Sequence, residues 1–289
     1  MTRFSHLLLT SLAPVIWGSS YIVTTELLAN LDPLTISLLR ALPAGLVLLL
    51  VTRKLPRGIW IPKMLVLGAL NFSIFWSLLF LAAYRLPGGI AAIMGALQPL
   101  IVIFAARILL HDTIRPLAIL AVFIGICGVS LIVLMPTYRL DTIGMCAGIL
   151  GSASMATGTV LSRKWHPPVS ALTFTSWQLV AGGVLLLPFF SFTETSLSAL
   201  TTLNLLGLGY LGFIGAGLTY ILWLRGLQKL DPTAISLLGF LSPLSAILLG
   251  WAILGETLNL TQLSGCGLTL AGLAIGQYAQ RPGQKRHLS

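Results

Sequence analysis

The sequence predicts an all-α integral membrane protein of ten transmembrane helices, built as two inverted five-helix repeats. Composition is the first indication, because 56% of the 289 residues are hydrophobic, only 8% are charged and the mean hydropathy is +0.97. Soluble domains carry about 25% charged residues. The other two indications are ten apolar runs of bilayer length and a second half that resembles the first. Lipid must therefore be the solvent for most of this chain.

Ten apolar segments follow one another with short connections between them. Each is close to the length of about 20 residues that spans a bilayer as a helix. The segments are Leu7–Leu28, Leu34–Val51, Met64–Ala83, Gly88–Leu110, Leu117–Met135, Ile143–Leu161, Ala171–Phe190, Leu203–Leu224, Thr233–Leu254 and Leu260–Tyr278. The first resembles a signal peptide, but no cleavage site follows it, so we expect it to be retained as the first helix.

The two halves of the chain form an internal sequence repeat. The segment Arg85–Val133 matches the sequence 144 positions later without a gap, so that Pro99 falls on Pro243. A weaker match at an offset of 138 aligns the front of each half and places Arg40 on Gln178. Internal duplication of this kind defines the architecture of a chain. We assign one repeat to each half.

Positive charge predicts the orientation in the membrane. Only Arg85 and Arg139 fall on the side opposite the N-terminus. The side of the N-terminus holds Arg3, Arg53, Lys54, Arg57, Lys63, Arg107, Arg115, Arg163, Lys164, Arg225, Lys229, Arg281, Lys285 and Arg286. Since short basic loops stay in the cytoplasm, we expect a multi-pass protein of the cytoplasmic (inner) membrane with both termini cytoplasmic.

An odd number of helices per repeat predicts inversion of the second repeat. The first repeat is 1–140 with helices one to five, the second is 141–280 with helices six to ten, and 281–289 is a basic cytoplasmic tail. Asp112 and its counterpart Glu256 then lie on opposite sides, where we expect them to cap helices five and ten. Inverted repeats are typical of secondary transporters with a site near the midplane.

Two prolines predict breaks in the fourth and ninth helices. Pro99 and Pro243 lie near mid-helix, where proline removes a backbone hydrogen bond and clashes with the carbonyl four residues earlier. Those carbonyls belong to Gly95 and Gly239. We predict that these four residues break the helices, free the carbonyls toward a cavity and act in gating. A kink that only serves helix packing is the alternative.

Polar and aromatic side chains at membrane depth predict the substrate site. Polar groups in lipid are costly unless paired, so they face the bundle interior. Packing is the alternative for any single aromatic among them. The predicted substrate-binding residues are Trp17, Tyr21, Asn71, Phe75, Trp76, Met94, Gln98, Met155, Thr219, Tyr220, Trp223 and Ser242.

Arg40 is an unusual charge within the second apolar segment, seven residues after Pro33. It contacts an anionic substrate group, pairs with Glu26, snorkels to the interface or binds backbone carbonyls as a structural tie. Glu26 itself is either a proton-coupling carboxylate or an exposed residue near the end of its helix. The sequence leaves these alternatives open.

Four short motifs resemble the EamA family of the drug/metabolite transporter superfamily: Trp17-Gly18-Ser19-Ser20-Tyr21, Leu39-Arg40-Ala41-Leu42-Pro43, Gln98-Pro99-Leu100 and Leu254-Gly255-Glu256-Thr257. The resemblance covers the whole chain and, more weakly, favours its pigment and amino-acid-metabolite exporters. It implies ten helices in the inner membrane around a cavity lined by helices one, three, four, six, eight and nine. One departure is His111-Asp112, where the family more often has Gly-Glu.

We therefore expect a secondary exporter of small amphipathic or aromatic metabolites, such as amino acids, pigments or drugs, working by alternating access. An importer or exchanger of anionic metabolites is the alternative, and an intramembrane enzyme is disfavoured because all four histidines lie outside the predicted spans. No phosphate-binding loop motif is present. We expect a monomer whose partners are substrate and lipid, without enzymatic activity, cofactor, metal or nucleic acid.

Overall fold

The computed structural model describes residues 2–86, 93–133, 141–190 and 200–281, and this part of the chain is helical without strands. The helices are α1 (Arg3–Leu27), α2 (Pro33–Thr52), α3 (Trp60–Gly68, Ala69–Ser73 and Ile74–Arg85 in succession), α4 (Ile93–Leu110), α5 (Pro116–Val133), α6 (Thr142–Lys164), α7 (Ala171–Phe190), α8 (Thr202–Leu227), α9 (Pro232–Leu254) and α10 (Leu260–Ala279). Within these residues, nine helices are long and apolar enough to cross a membrane. The remaining one, α10, is of similar length but includes Gln262 and Gln277.

The ten predicted segments coincide with these helices, which confirms the all-α fold. α1 begins at Arg3, earlier than the predicted Leu7, because the Thr2 side chain caps the helix by accepting from the Ser5 amide. Three predicted stretches lie outside the described residues: 88–92, 134–135 and the tail 282–289.

α4 and α9 are both interrupted a few residues before their prolines, Pro99 and Pro243. In α4 the Leu97 amide bonds to the Met94 carbonyl at 3.3 Å, a three-residue spacing that ends the first segment. In α9 the Gly239 amide bonds to Ser236 at 3.0 Å in the same way. The Gly239 carbonyl is not free as predicted, because it accepts from the Ser242 amide at 3.0 Å.

The ends of α4 and α9 correct the predicted role of the two carboxylates. His111 and Gly255 adopt left-handed conformations (φ 60° and 69°). The amides of Asp112 and Glu256 then close the preceding helices by bonding at 3.3 Å to carbonyls six residues back. They do not cap α5 and α10. The cap of α10 is Asn259, which exchanges hydrogen bonds with Gln262.

α3 and α8 each contain a π-helical segment, Ala69–Ser73 and Tyr210–Leu218. A π turn inserts a residue and shifts the main-chain hydrogen bonds, which is common at functional sites. The segments lie at corresponding places in the two repeats, since Asn71 and Gly215 are 144 residues apart.

Equivalent helices of the two repeats pack directly on each other through small residues. A Cβ atom on Gly128 would lie 2.5 Å from the Thr269 nitrogen, and one on Gly272 would lie 2.7 Å from the Gly125 nitrogen. Adding 144 to Gly125 and Gly128 gives Thr269 and Gly272, so the two contacts are equivalent under the repeat. α5 and α10 therefore run antiparallel in close backbone contact. α2 and α7 pack similarly, and this is the pattern that inverted repeats predict.

Both described ends of the chain lie on one side, the termini side, where Arg3 donates to the Gln280 carbonyl at 3.2 Å. We call α1, α8 and α9 the first lobe and α3, α4 and α6 the second lobe, because each set packs together. On the termini side, Pro232–Leu238 of α9 packs against Gln98–Leu110 of α4. The termini-side core contains residues of both lobes, including Met64 and Trp223.

The hydrophobic core differs on the opposite side. There, one cluster around Leu28 and Leu211 comes from α1, α2, the turn between them and α8, and Phe80 of α3 packs against it. A separate cluster around Ala82 and Ala147 belongs to α3 and α6. Among the described residues, the lobes thus share one core on the termini side, whereas on the other side they have separate clusters and meet at Phe80.

Candidate functional site

An aromatic cluster occupies the centre of the bundle. The Trp17 ring lies 5.3 Å from Tyr220 and 5.0 Å from Trp223 between centroids, and Phe72 lies 4.6 Å from Tyr220 and 5.1 Å from Trp76. These rings come from α1, α3 and α8, and all except Trp17 are buried. The tilted arrangements favour attractive ring contacts. Both lobes therefore meet through aromatic surfaces.

The Gly215 carbonyl receives three side-chain donors. Trp17 Nε1 donates at 3.1 Å, Arg40 Nη2 at 3.0 Å and Thr219 Oγ1 at 2.8 Å. The π segment makes this possible, because the Thr219 amide bonds to Ile214 and Ala216 instead of Gly215. Three helices, α1, α2 and α8, converge on this oxygen.

Arg40 is buried, and its guanidinium carbon lies 4.5 Å from the centroid of the Trp76 ring. Its Nε atom has no hydrogen-bond partner. The proposed pairing with Glu26 is wrong, because the Glu26 carboxylate is exposed and lies 3.4 Å from the Thr25 hydroxyl instead. A backbone carbonyl is the partner that the structure gives Arg40.

The second repeat contains the counterpart of this contact. Gln178, which aligns with Arg40, accepts from Asn71 Nδ2 at 2.7 Å, and Asn71 lies in the π segment of α3. Asn71 Nδ2 also approaches Ser162 Oγ at 3.3 Å. We call the Arg40–Gly215 contact the charged tie and the Gln178–Asn71 contact the neutral tie. Each tie joins α2 or α7 to the π segment of a helix in the other repeat.

A narrow gap lies beneath the aromatic cluster toward the termini side. The empty space between its lining atoms is about 150 Å³ in all, including space open to the outside, and it has no room for a water molecule. Four of the predicted substrate-binding residues border it: Asn71, Met155, Tyr220 and Trp223. The other residues of this termini-side gap are Thr159, Ser162, Leu224 and Leu227.

The remaining predicted residues lie above or beside the cluster. Phe75 packs on its edge with Trp76. Tyr21, one turn beyond Trp17 on the same helix face, is 51% exposed. Gly95 is also exposed, and a Cβ there would meet no atom within 4 Å. Both positions are therefore accessible within the part of the chain that the structure describes.

Met94, Gln98 and Ser242 are half-buried and do not join the aromatic cluster. Met94 packs near Ala82 and Ala147, and its carbonyl accepts from Ser152 at 2.8 Å. These three residues therefore border the broken parts of α4 and α9 instead of the central rings.

Arginines tie helix ends together on the termini side. Arg163 of α6 donates to the Leu227 carbonyl of α8 at 2.7 Å, a bond between lobes, and Arg115 donates to the Ala279 carbonyl. Partial burial and the nearby Asp231 raise the pKa of the Asp112 carboxyl, while Arg163 and Arg115 oppose this rise. Positive side chains are favourable at helix carboxyl ends.

Sequence reasoning missed Phe72, Gln178 and Gly215 as site residues. Gln178 had a detectable signal, since it aligns with Arg40 and is a polar residue within an apolar segment. Gly215 had none, because its role depends on a main-chain shift. Among the described residues, no group of three His, Cys, Asp or Glu side chains could hold a metal ion.

A model of the EamA-like transporter family matches the chain twice, over residues 4–134 and 142–276. The chain belongs to this family. It is 43% identical over 267 residues to protein PecM of Dickeya dadantii (strain 3937), covering 92% of this chain and 90% of that one. It is 27% identical over 267 residues to the uncharacterized inner membrane transporter YedA of Escherichia coli (strain K12), with coverage of 90% and 87%.

A solved crystal structure has the same fold, with a TM-score of 0.84 at 19% identity over 97% of this chain and 99% of that one. The match of the family model to both halves confirms the predicted family. Membership of the EamA-like family and the apolar helices make this chain a multi-pass membrane transporter. The two matched ranges correspond closely to the two repeats found by aligning the sequence with itself.

Proposed function

We propose that this EamA-like transporter is a secondary exporter of small amphipathic or aromatic metabolites, working as a monomer by alternating access. The observation that carries the proposal is the difference between the two sides of the bundle. Among the described residues, the lobes share one core on the termini side, whereas on the other side each has its own cluster and they meet at the partly buried Phe80 of α3. Aromatic side chains of both lobes meet between these regions.

The two repeats suggest how the protein would exchange between a conformation closed on the termini side and one closed on the other side. If the second repeat is inverted, rocking the lobes opens the termini side while closing the other. The antiparallel, exchangeable contacts of α5 with α10 support this symmetry. Arg163 and the Leu227 carbonyl would separate in that motion, since they belong to different lobes.

Positive charge supports the orientation of the protein in the membrane. The excess of Lys and Arg on the termini side supports a cytoplasmic location for both termini. The name of YedA, an inner membrane transporter, supports the cytoplasmic membrane as the location. The side on which the described parts of the lobes have separate clusters would then face the outside.

A second candidate is transport of an anionic metabolite. Arg40 favours it, because this buried guanidinium has no carboxylate partner in the described part of the chain and leaves Nε unbonded. A single cation that already binds Gly215 and stacks on Trp76 is weaker support than the neutral aromatic surroundings.

Transport is tested with the purified full-length chain in proteoliposomes, using a panel of amino acids, pigments and dyes with and without a pH gradient. Trp17→Ala should reduce uptake at least tenfold, since it removes two cluster contacts and two hydrogen bonds. Trp251→Ala is the matched control, because Trp251 is 57% exposed toward lipid. Equal effects of the two variants, or no uptake of any solute, would contradict the proposal.

Inversion is tested by labelling. Cys127, Cys146 and Cys266 are first replaced by alanine, and single cysteines are then placed at Asp112 or Glu256. We expect a membrane-impermeant maleimide to label the Glu256→Cys variant from outside and the Asp112→Cys variant only from inside. Labelling of both from one side refutes the inverted topology.

A further inference from the structure

We propose that the termini-side gap is an inner binding site for an uncharged, flat substrate that carries both a hydrogen-bond donor and an acceptor, such as an aromatic primary amide. The inference rests on the proposed function, because the gap is too narrow for a ligand until the lobes part. It adds a substrate class that composition alone does not indicate.

Three buried polar atoms at the gap have no partner. They are Asn71 Oδ1, Thr159 Oγ1 and Trp223 Nε1, on residues that are only 3%, 1% and 1% exposed. Nearly all buried polar groups in proteins are hydrogen-bonded, so each exception needs an explanation. A ligand that enters the gap when the protein adopts another conformation would supply the missing hydrogen-bond partners of all three atoms.

The three atoms define complementary ligand chemistry. Trp223 Nε1 only donates, Asn71 Oδ1 only accepts, and the Thr159 hydroxyl does both. A ligand that satisfies them needs an acceptor and a donor a few ångströms apart, which a primary amide provides. The rings of Tyr220 and Trp223 and the side chain of Met155 would cover a flat apolar body.

The uncharged lining of the gap selects against ionic ligands. None of the eight residues lining the gap is an acid, a lysine, an arginine or a histidine. An ammonium or carboxylate group would therefore lose its hydration without gaining an ionic partner. Arg40 does not supply one, since it lies over Trp76 and donates to Gly215.

The gap lies between the moving parts. Asn71 and Thr159 belong to α3 and α6 of the second lobe, whereas Trp223 belongs to α8 of the first. Parting the lobes on the termini side widens the gap and exposes all three atoms together. Their unsatisfied state also destabilises the closed conformation, so ligand binding and opening favour each other.

Three probes that share an indole ring test the ligand class: indole-3-acetamide, indole-3-acetate and tryptamine. Binding to the purified full-length chain in nanodiscs is measured by calorimetry. We expect the neutral amide to bind at least tenfold tighter than either ion. Equal or tighter binding of an ion overturns the inference, and so does failure of all three probes to bind.

Matched variants test the roles of the Thr159 hydroxyl and the Trp223 indole nitrogen in binding. Thr159→Val and Trp223→Phe each remove one polar group with little change in shape, and each should weaken amide binding about fivefold, the value of one hydrogen bond. Thr175→Val is the control, because Thr175 is equally buried with an unbonded hydroxyl but lies outside the gap. An equal loss in the control refutes the site.

Uptake is measured separately from binding, so that the two proposals fail independently. A chain that binds the amide in this order but never transports it keeps the site and refutes secondary transport. A chain that transports solutes without this order of binding, or without any effect of Thr159→Val and Trp223→Phe, refutes the site alone.

Discussion

The α5–α10 contact and the pair of polar ties both relate the two repeats, yet they have diverged differently. In the α5–α10 contact, backbones touch through Gly125, Gly128 and Gly272, and a Cβ would clash at both repeat-related positions. In the ties, the aligned residues are Arg40 and Gln178, which differ in charge and in partner. Direct backbone contact restricts the residue type, whereas a side-chain bond only requires some polar partner within reach.

The largest effect should come from breaking the backbone contact. In Gly272→Ala, the new Cβ would lie 2.7 Å from the Gly125 nitrogen and 2.8 Å from the Ala121 carbonyl, so α5 and α10 must separate. We expect a loss of about 2–4 kcal/mol in stability, measured as thermal melting of the solubilised chain.

Gly267→Ala is its control on the same helix, because a Cβ there would meet nothing within 4 Å. Alanine is a better helix former than glycine by about 1 kcal/mol, so this variant should melt slightly higher than the parent. If both variants melt alike, the close contact between α5 and α10 contributes nothing specific.

We expect loss of the neutral tie to reduce stability more than loss of the charged tie. Gln178→Leu leaves buried Asn71 with only the 3.3 Å contact to Ser162, and should cost about 1–3 kcal/mol. Arg40→Met should change stability by less than about 1 kcal/mol, because the lost hydrogen bond and ring contact are offset by removal of a buried charge.

The same melting assay compares these two variants. Gly215 keeps its bonds to Trp17 and Thr219 when Arg40 is replaced, so no polar atom is left bare. A larger loss for Arg40→Met than for Gln178→Leu would show that the charged tie is the main stabilising contact of the pair.

The smallest effect concerns pH on the termini side. Burial and Asp231 raise the pKa of Asp112 above its ordinary value of 3.8, so the folded chain holds this proton more tightly than the unfolded chain. The stabilising contribution of the Asp112 proton is therefore complete below pH 3.8 and is lost as the pH rises through the raised pKa of Asp112.

Asp112→Asn should abolish this pH dependence, and Asp231→Asn should weaken it by removing one of its causes. The carboxyl is exposed enough for solvent to screen the interaction, so the change in melting temperature should be small. Melting curves between pH 3.5 and about 6 measure it. An unchanged slope in Asp112→Asn would assign the effect to another group.

Much of the fold was predictable because its signals are local. Apolar runs fixed the helices, and Pro99 and Pro243 marked the two interrupted helices, since proline acts on the backbone wherever it occurs. The self-alignment also identified the residues of the α5–α10 contact as equivalent. The ends of α4 and α9 were misread, because Asp112 and Glu256 precede α5 and α10 in sequence but complete the helices before them.

The site was less predictable because it depends on depth and on main-chain shifts. Trp17 and Tyr21 share a face of α1, but only Trp17 reaches the level where the lobes meet, while Tyr21 is 51% exposed. The π segment of α8 has no residue signature that distinguishes it from an ordinary helix. Arg40 consequently had an acceptor that the sequence could not reveal.

The Gly215 oxygen offers two lone pairs to donors from three helices, so one bond is always surplus. Any one of α1, α2 or the lower turn of α8 can withdraw its donor while the oxygen stays fully hydrogen-bonded. This redundancy would keep the carbonyl hydrogen-bonded if one of the three donors moved away, and an unpaired backbone carbonyl is costly in lipid.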